Sequence, residues 1–242
     1  MLSDAERALL DLIRSARQAG RLLDASEEPG GVGLDGAYRV QAALLEGQEL
    51  RGYKLGLISP AKQAQMGIDE PIYGRVTAGM LLESPVPLGR FRQPRIEPEL
   101  AAVLREDLPP DATPGAARLA VGAAFLAVDI LDSVWQGYRF SIAGVVADNA
   151  SGGGFLLGER ALPLRLDGAL RLYLDGELLA EGPLSSLGNP EERLCWLARA
   201  AGGLRAGQVV FLGAPAAAAP ARPSVLEVHG PEGSLLLARL EP

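Results

Sequence analysis

At 242 residues the chain is long enough to bury a full core, and with 48% apolar and 22% charged residues it is not a disordered tail. No apolar run reaches the roughly 18–20 residues that cross a bilayer. Met1–Asp4 lacks a basic leader region and the single cysteine, Cys195, leaves no internal disulfide, so the expected setting is cytoplasmic. A net charge of −7 without any basic stripe argues against nucleic acid as a partner, and a sole histidine, His229, excludes multi-histidine zinc sites.

In chain order, residues 3–23 read as an amphipathic helix. Ser3 and Glu6 form a capping box, Leu9, Leu12, Ile13 and Ala16 recur at helical spacing, and Gly20 closes it. Residues 26–33 are a loop by composition. A second helix is expected over about 34–49, with Ala37, Val40, Gln41, Leu44 and Leu45 on one face. After Gly52 short apolar runs punctuated by Gly and Pro take over, at 53–57, 95–104, 122–131, 169–174, 208–213, 225–228 and 234–240. Asp175-Gly176 after Arg171-Leu172-Tyr173-Leu174 is a hairpin signal. A further helix is expected at 190–203, opening with Pro190-Glu191-Glu192. Ala214–Pro223 reads as a loop or linker, and His229 as a strand-end surface residue beside a turn. The class is α+β: residues 1–50 an N-terminal helical segment, residues 51–242 a β-rich body, together one unit.

Three segments can carry chemistry. In Arg95-Ile96-Glu97-Pro98-Glu99, a strand puts both glutamates on one face, about 7 Å apart along the backbone. Paired hard oxygens suit Mg²⁺, Mn²⁺ or Ca²⁺. An exposed edge strand, blunted by charge and by Pro98, is the alternative. Asp129 and Asp132 interrupt a long apolar stretch, where acids are costly unless paired or metal-bound. Asp148-Asn149-Ala150-Ser151-Gly152-Gly153-Gly154 could offer N–H groups and the Ser151 hydroxyl to an anion, or be an ordinary turn. Lys54, one of two lysines against 21 arginines, sits in a short apolar strand. There it either meets a carboxylate substrate in a pocket or is exposed.

The ordered set of these motifs resembles the hydratase/decarboxylase branch of the fumarylacetoacetate hydrolase superfamily. The resemblance runs from Ala37-Tyr38-Arg39-Val40-Gln41 through Gly52-Tyr53-Lys54-Leu55-Gly56, Gln65-Met66-Gly67 and Glu70-Pro71-Ile72-Tyr73-Gly74. It continues through Glu97-Pro98-Glu99, Asp132-Ser133, Asp148-Asn149-Ala150-Ser151, Leu187-Gly188-Asn189-Pro190 and Trp196-Leu197, covering about 37 to 213. It implies a mixed β-sheet roll or barrel with N-terminal helices and a Mg²⁺ or Mn²⁺ held by Glu97, Glu99 and Asp129. It also implies a substrate-facing Lys54, with Ser151 on the substrate carboxylate and Leu100, Ile72 and Tyr73 lining the substrate. The sequence departs from the family pattern at Asp129 (usually Glu), Val134 (Arg), Ile58 (Thr), Gln208 (Asp) and Leu212 (Thr).

The implied activity is decarboxylation of a 2-oxo-3-enedioate. A 2-hydroxypenta-2,4-dienoate hydratase, an acylpyruvate-type hydrolase and a non-catalytic partner paralogue are the alternatives. Ile72, where the hydratases carry Asp, and the preceding Ala61-Lys62 favour the decarboxylase. The partners implied are a small 2-oxo acid or dicarboxylate, further copies in a homo-oligomer, and a related hydratase.

Overall fold

The computed structural model describes residues 1–242, the side chains of residues 60–62 excepted; the Ala61-Lys62 pair therefore lies outside the described side chains. Ser3 caps α1 (Asp4–Ala19) reciprocally. Its hydroxyl accepts from the Glu6 N–H, and the Glu6 carboxylate accepts from the Ser3 N–H. Gly20, at φ 68°, closes the helix. The second helix, α2 (Leu34–Leu44), stops short of its expected end, and the chain turns at Gly47 with φ 80°. α1 and α2 pack with the short α5 (Ile142–Ala147) around Leu9, Ile13, Val40, Trp135 and Val146. Among the described residues no helix is long and apolar enough to cross a membrane.

The strands, numbered in chain order, form two sheets. The larger runs β2 (Ile72–Thr77), β1 (Leu50–Gly56), β9 (Val209–Phe211), β4 (Arg95–Leu104), β5 (Val121–Leu131), β6 (Gly152–Leu157), with β10 (Ala219–Pro220) beside β4. The smaller runs β3 (Val86–Pro87), β12 (Leu235–Glu241), β11 (Ser224–His229), β7 (Ala169–Leu174), β8 (Glu177–Pro183). Both are mixed, since β1 with β9 and β3 with β12 are parallel pairs among antiparallel ones. The β7–β8 hairpin turns at Asp175-Gly176, both at positive φ as a primed turn requires. α6 (Pro190–Ala201) starts at the Asn189 cap, and Gly202, at φ 79°, ends it.

The strand period of two divides β4 and β5 between two environments. Ile96, Leu100, Val128 and Ile130 face the smaller sheet, packing with Leu170, Leu172, Leu226 and Leu236 in the main core. Glu97, Glu99 and Asp129 project from the other face, inside the curl of the larger sheet, where Ala101, Ala127, Phe155 and Phe211 fill the adjoining space.

Two expectations are corrected here. β4 is a central strand, paired with β5 along its length, so the exposed-edge alternative for Glu97 and Glu99 fails. Pro98 is tolerated because the other side of β4 is interrupted there: β10 pairs only at Arg95 and Ile96, β9 only from Ala101 to Val103. Within Ala214–Pro223, Ala219–Pro220 forms a two-residue strand, because the Ile96 edge is free to pair. Elements without a strong sequence period went unpredicted: α3 (Pro60–Met66), β2, α4 (Pro114–Ala120), α5 and β6.

Candidate metal centre and substrate cavity

The antiparallel register of β4 and β5 puts Asp129 directly opposite Glu97, with Glu99 two residues along the same face. The three carboxylates offer ligand oxygens that all lie within 4.8 Å of one another. Lys54 joins them from β1, three strands away from β5 in the sheet order. In a flat sheet that separation is about 14 Å. The strong curl brings Lys54 Nζ to 2.5 Å from Asp129 Oδ2. This contact is a close, buried ion pair. The ammonium also donates to the Ala150 carbonyl at 2.9 Å.

Glu99 is 1%, Asp129 0% and Lys54 3% exposed, so water does little to separate these charges. Burial foremost, then the neighbouring Asp129, pushes the Glu99 carboxyl well above its usual range; Lys54 offsets this in part. Burial also raises Asp129, against the pull of Lys54. Burial alone would lower the Lys54 ammonium, but Asp129, Glu97 and Glu99 outweigh it and hold the group above its ordinary value. One Glu99 oxygen accepts from the Gly213 N–H at 2.9 Å. Among the described residues its other oxygen and Asp129 Oδ1 accept no hydrogen bond, and Asp129 Oδ2 has only the Lys54 ammonium, an unusual state for buried groups. Hard, orphaned oxygens clustered in this way fit a divalent cation. Ligands about 2.1 Å from Mg²⁺ sit about 3–4 Å apart, so closing the cluster needs only a small side-chain adjustment.

The remaining predicted residues divide. Ser151 is buried and its hydroxyl has no hydrogen-bond partner among the described residues. It ends a turn of three consecutive residues, Asn149, Ala150 and Ser151, at φ between 51° and 57°, left-handed backbone that costs energy without glycine. The turn is clamped on both sides. Asn149 accepts from the Arg75 N–H at 2.7 Å and donates to the Arg75 carbonyl at 2.9 Å. Asp148 accepts from Ser133 Oγ and the Val134 N–H and pairs with Arg17 of α1 at 2.6 Å. Gly74 is obligatory beside it, since a Cβ there would meet the Asn149 carbonyl at 2.6 Å and Lys54 Cγ at 3.0 Å. Asp132 accepts from the Arg92 and Gln93 N–H groups, so it shapes a turn away from the cluster. His229 lies 2.8 Å from Glu227 at its strand end.

Leu100 points from the opposite face of β4 into the main core, apart from the carboxylates. Tyr73 likewise faces away from Lys54, stacked on Tyr38 at 4.3 Å and edge-on to Tyr53 and Trp196. Ile72 shares the Lys54 face of β2 but is buried in the core of the N-terminal helices. The cavity that opens over Glu97, about 600 Å³, is walled instead by Ile58, Ser59, Arg95, Glu181 and Ser186, with Ala214–Ala218 above. Sequence reasoning missed the supports. Gln41 donates to the Tyr73 and Val146 carbonyls, and its signal was a polar residue on the apolar face of a predicted helix. The Arg17–Asp148 pair spans 131 positions and left no local signal.

No family model matches the chain. A 2-keto-4-pentenoate hydratase from Burkholderia vietnamiensis (strain G4 / LMG 22486) is 36% identical over 221 residues, 84% of each chain. A 4-oxalocrotonate decarboxylase from Pseudomonas sp is 35% identical over 198 residues, 78% of this chain and 76% of the other. The chain belongs to the hydratase/decarboxylase branch of the fumarylacetoacetate hydrolase superfamily. The 4-oxalocrotonate decarboxylase from Pseudomonas putida G7, complexed with magnesium and adipate, superposes with a TM-score of 0.88 at 26% identity, over 100% of this chain and 99% of that one. Outside the branch, a fumarylacetoacetate hydrolase family protein from Yersinia pestis CO92 shares the fold, with a TM-score of 0.63 at 19% identity, over 83% of this chain and 97% of that one.

Proposed function

We propose that the chain is a Mg²⁺- or Mn²⁺-dependent carbon–carbon lyase. In this reading it removes CO₂ from a 2-oxo-3-enedioate of the 4-oxalocrotonate type, leaving 2-hydroxypenta-2,4-dienoate, in aromatic ring-cleavage catabolism. The observation that carries the reading is the meeting of Glu97, Glu99 and Asp129 with Lys54 under a cavity roomy enough for a six-carbon acid. The P. putida G7 neighbour, a decarboxylase holding magnesium and adipate, supports it.

When bound, the divalent ion supplies Lewis-acid stabilisation of negative charge on the C2 oxygen of a chelated 2-oxo acid, worth several kcal/mol. The protein groups do the rest. Glu97, Glu99 and Asp129 hold the ion. Lys54, fixed between Asp129 and the Ala150 carbonyl, keeps Asp129 in place and sets a positive charge beside the substrate carboxylate. Ser151, whose buried hydroxyl the fold leaves unbonded, donates to that carboxylate. The apolar walls, Ile58 and the 214–218 segment, keep water from the reacting chain once CO₂ has left.

The second reading is a 2-hydroxypenta-2,4-dienoate hydratase, favoured by the 36% identity to a hydratase. Product analysis separates the two. Mg²⁺-loaded protein given 2-oxo-3-hexenedioate should release CO₂, and given the dienoate should form little 4-hydroxy-2-oxopentanoate. Ready hydration of the dienoate would favour the hydratase, and absence of any metal-dependent turnover a non-catalytic paralogue. A homo-oligomer, and association with a related hydratase, go with this proposal; light scattering alone and with the hydratase tests both.

A further inference from the structure

Among the described residues that wall the cavity over Glu97, Arg95 is the one cation. It lies two residues before Glu97 on the same face of β4, so its side chain leaves the strand about 7 Å from the first metal-ligand candidate. Its guanidinium carbon sits 4.9 Å from the centre of the Tyr138 ring. That ring is itself fixed, because the Tyr138 hydroxyl donates to the Gln93 carbonyl at 2.9 Å and its backbone is held at φ 60°. A strained, non-glycine residue carrying the platform for an arginine is the kind of backbone outlier that marks a ligand clamp. Arg95 has no carboxylate within ion-pairing distance among the described residues, whereas Glu181 on the same wall is already paired with Arg171 at 2.8 Å. Among the described residues the cavity therefore holds one guanidinium that rests on a ring and pairs with no carboxylate.

We propose that Arg95, seated on Tyr138, binds the carboxylate at the far end of the substrate and so selects diacids over monoacids. The proposal rests on the reading of Glu97, Glu99 and Asp129 as the centre that takes the C1 carboxylate and C2 oxygen of a 2-oxo acid. The spans agree. In a six-carbon diacid, five bonds of about 1.5 Å in zigzag put the terminal carbons roughly 6 Å apart, close to one two-residue strand step. Arginine presents two parallel N–H donors to a carboxylate, and stacking on a ring holds the fork flat for that contact.

The test is calorimetric titration of Mg²⁺-supplied protein with 2-oxoadipate and 2-oxohexanoate, saturated acids that differ only in the distal carboxylate. The wild type should bind the diacid roughly tenfold tighter or more, the scale of a hydrogen-bonded charge pair. Arg95→Gln should bind both acids alike, with its 2-oxohexanoate affinity unchanged, which also reports a folded site. Tyr138→Leu should lose part of the preference. If Arg95→Gln keeps the wild-type preference, or the wild type shows none, the assignment of Arg95 is overturned while metal-dependent binding of either acid leaves the underlying site standing. If neither acid binds and Glu97→Gln does not change Mg²⁺ binding, the site reading itself falls, and Arg95 with it.

Discussion

Replacing Glu99 by Gln should make the metal-free protein more stable, although it removes a ligand from the proposed metal centre. The carboxylates of Glu97, Glu99 and Asp129 offer oxygens within 4.8 Å of one another, and Glu99 is 1% exposed. At that separation or less and an effective dielectric of about 20, each like-charge pair repels by at least about 3.5 kcal/mol, which Lys54 offsets in part. Glutamine keeps the acceptor that the Gly213 N–H needs and drops only the charge. A net gain of about 1–2 kcal/mol would raise the Tm by about 2–8 °C for a chain of this size. The pH dependence follows from the direction of the shift. Glu99 takes up a proton more readily folded than unfolded, so wild-type stability is fully present below the ordinary carboxylate value and is lost as pH rises through the raised one. The variant escapes that loss, so its advantage should be greatest near pH 8 and shrink toward pH 5. In saturating Mg²⁺ the order should invert, because only the wild type gains the binding term, about 2.7 kcal/mol at a hundred times Kd. Thermal unfolding by circular dichroism in EDTA and in Mg²⁺, at both pH values, reads all of this. A Glu99→Gln protein that melts at or below the wild type in EDTA at pH 8 would refute the argument that the cluster repels itself.

Three further outcomes are expected. Ser151→Ala should leave stability within about 1 kcal/mol, since the hydroxyl has no partner to lose, yet raise KM about tenfold in a steady-state assay. Arg17→Met should cost about 2–3 kcal/mol by urea unfolding, below the value for a fully buried pair because the Arg17 side chain is 31% exposed. Burial already raises the Asp148 carboxyl and Arg17 pulls it back, so this deficit should grow as pH rises above the carboxylate range and fade below it. Gly74→Ala should cost about 1–3 kcal/mol by the same measurement and depress turnover further than binding, since the added methyl pushes on Lys54.

What the sequence shows of this site depends on how local each constraint is. The Glu97–Glu99 spacing needs only strand periodicity, and the β4 span of 95–104 and the β7 span of 169–174 agree with the structure because alternation and turn residues bound them. The pairing of Asp129 with Glu97 depends on β-register over more than thirty positions, which only the family resemblance anticipated. Strand alternation sets where Tyr73 and Leu100 lie: Tyr73 is on the face opposite Gly74, and Leu100 on the face opposite Glu99. Strand β2 and helix α5 were invisible because runs such as Ile142-Ala143-Gly144-Val145-Val146 are apolar all round, with no period to read.

The bracing of the Asn149–Ser151 turn by Arg17 also limits how the chain can be shortened. α1 and α2 stand outside both sheets, yet Arg17 holds Asp148, and Gln41 ties Val146 to Tyr73. A fragment starting at Arg51 would uncover Ile72, Trp135, Ala143 and Val146 together. It would also leave the Asp148 carboxylate buried without its counter-charge. Such a truncation is expected to be recovered as aggregate, even though every carboxylate of the proposed metal centre lies downstream of the cut. Protease nicking in the exposed 24–31 stretch should therefore inactivate the protein once α1 dissociates, without touching a single metal-ligand candidate.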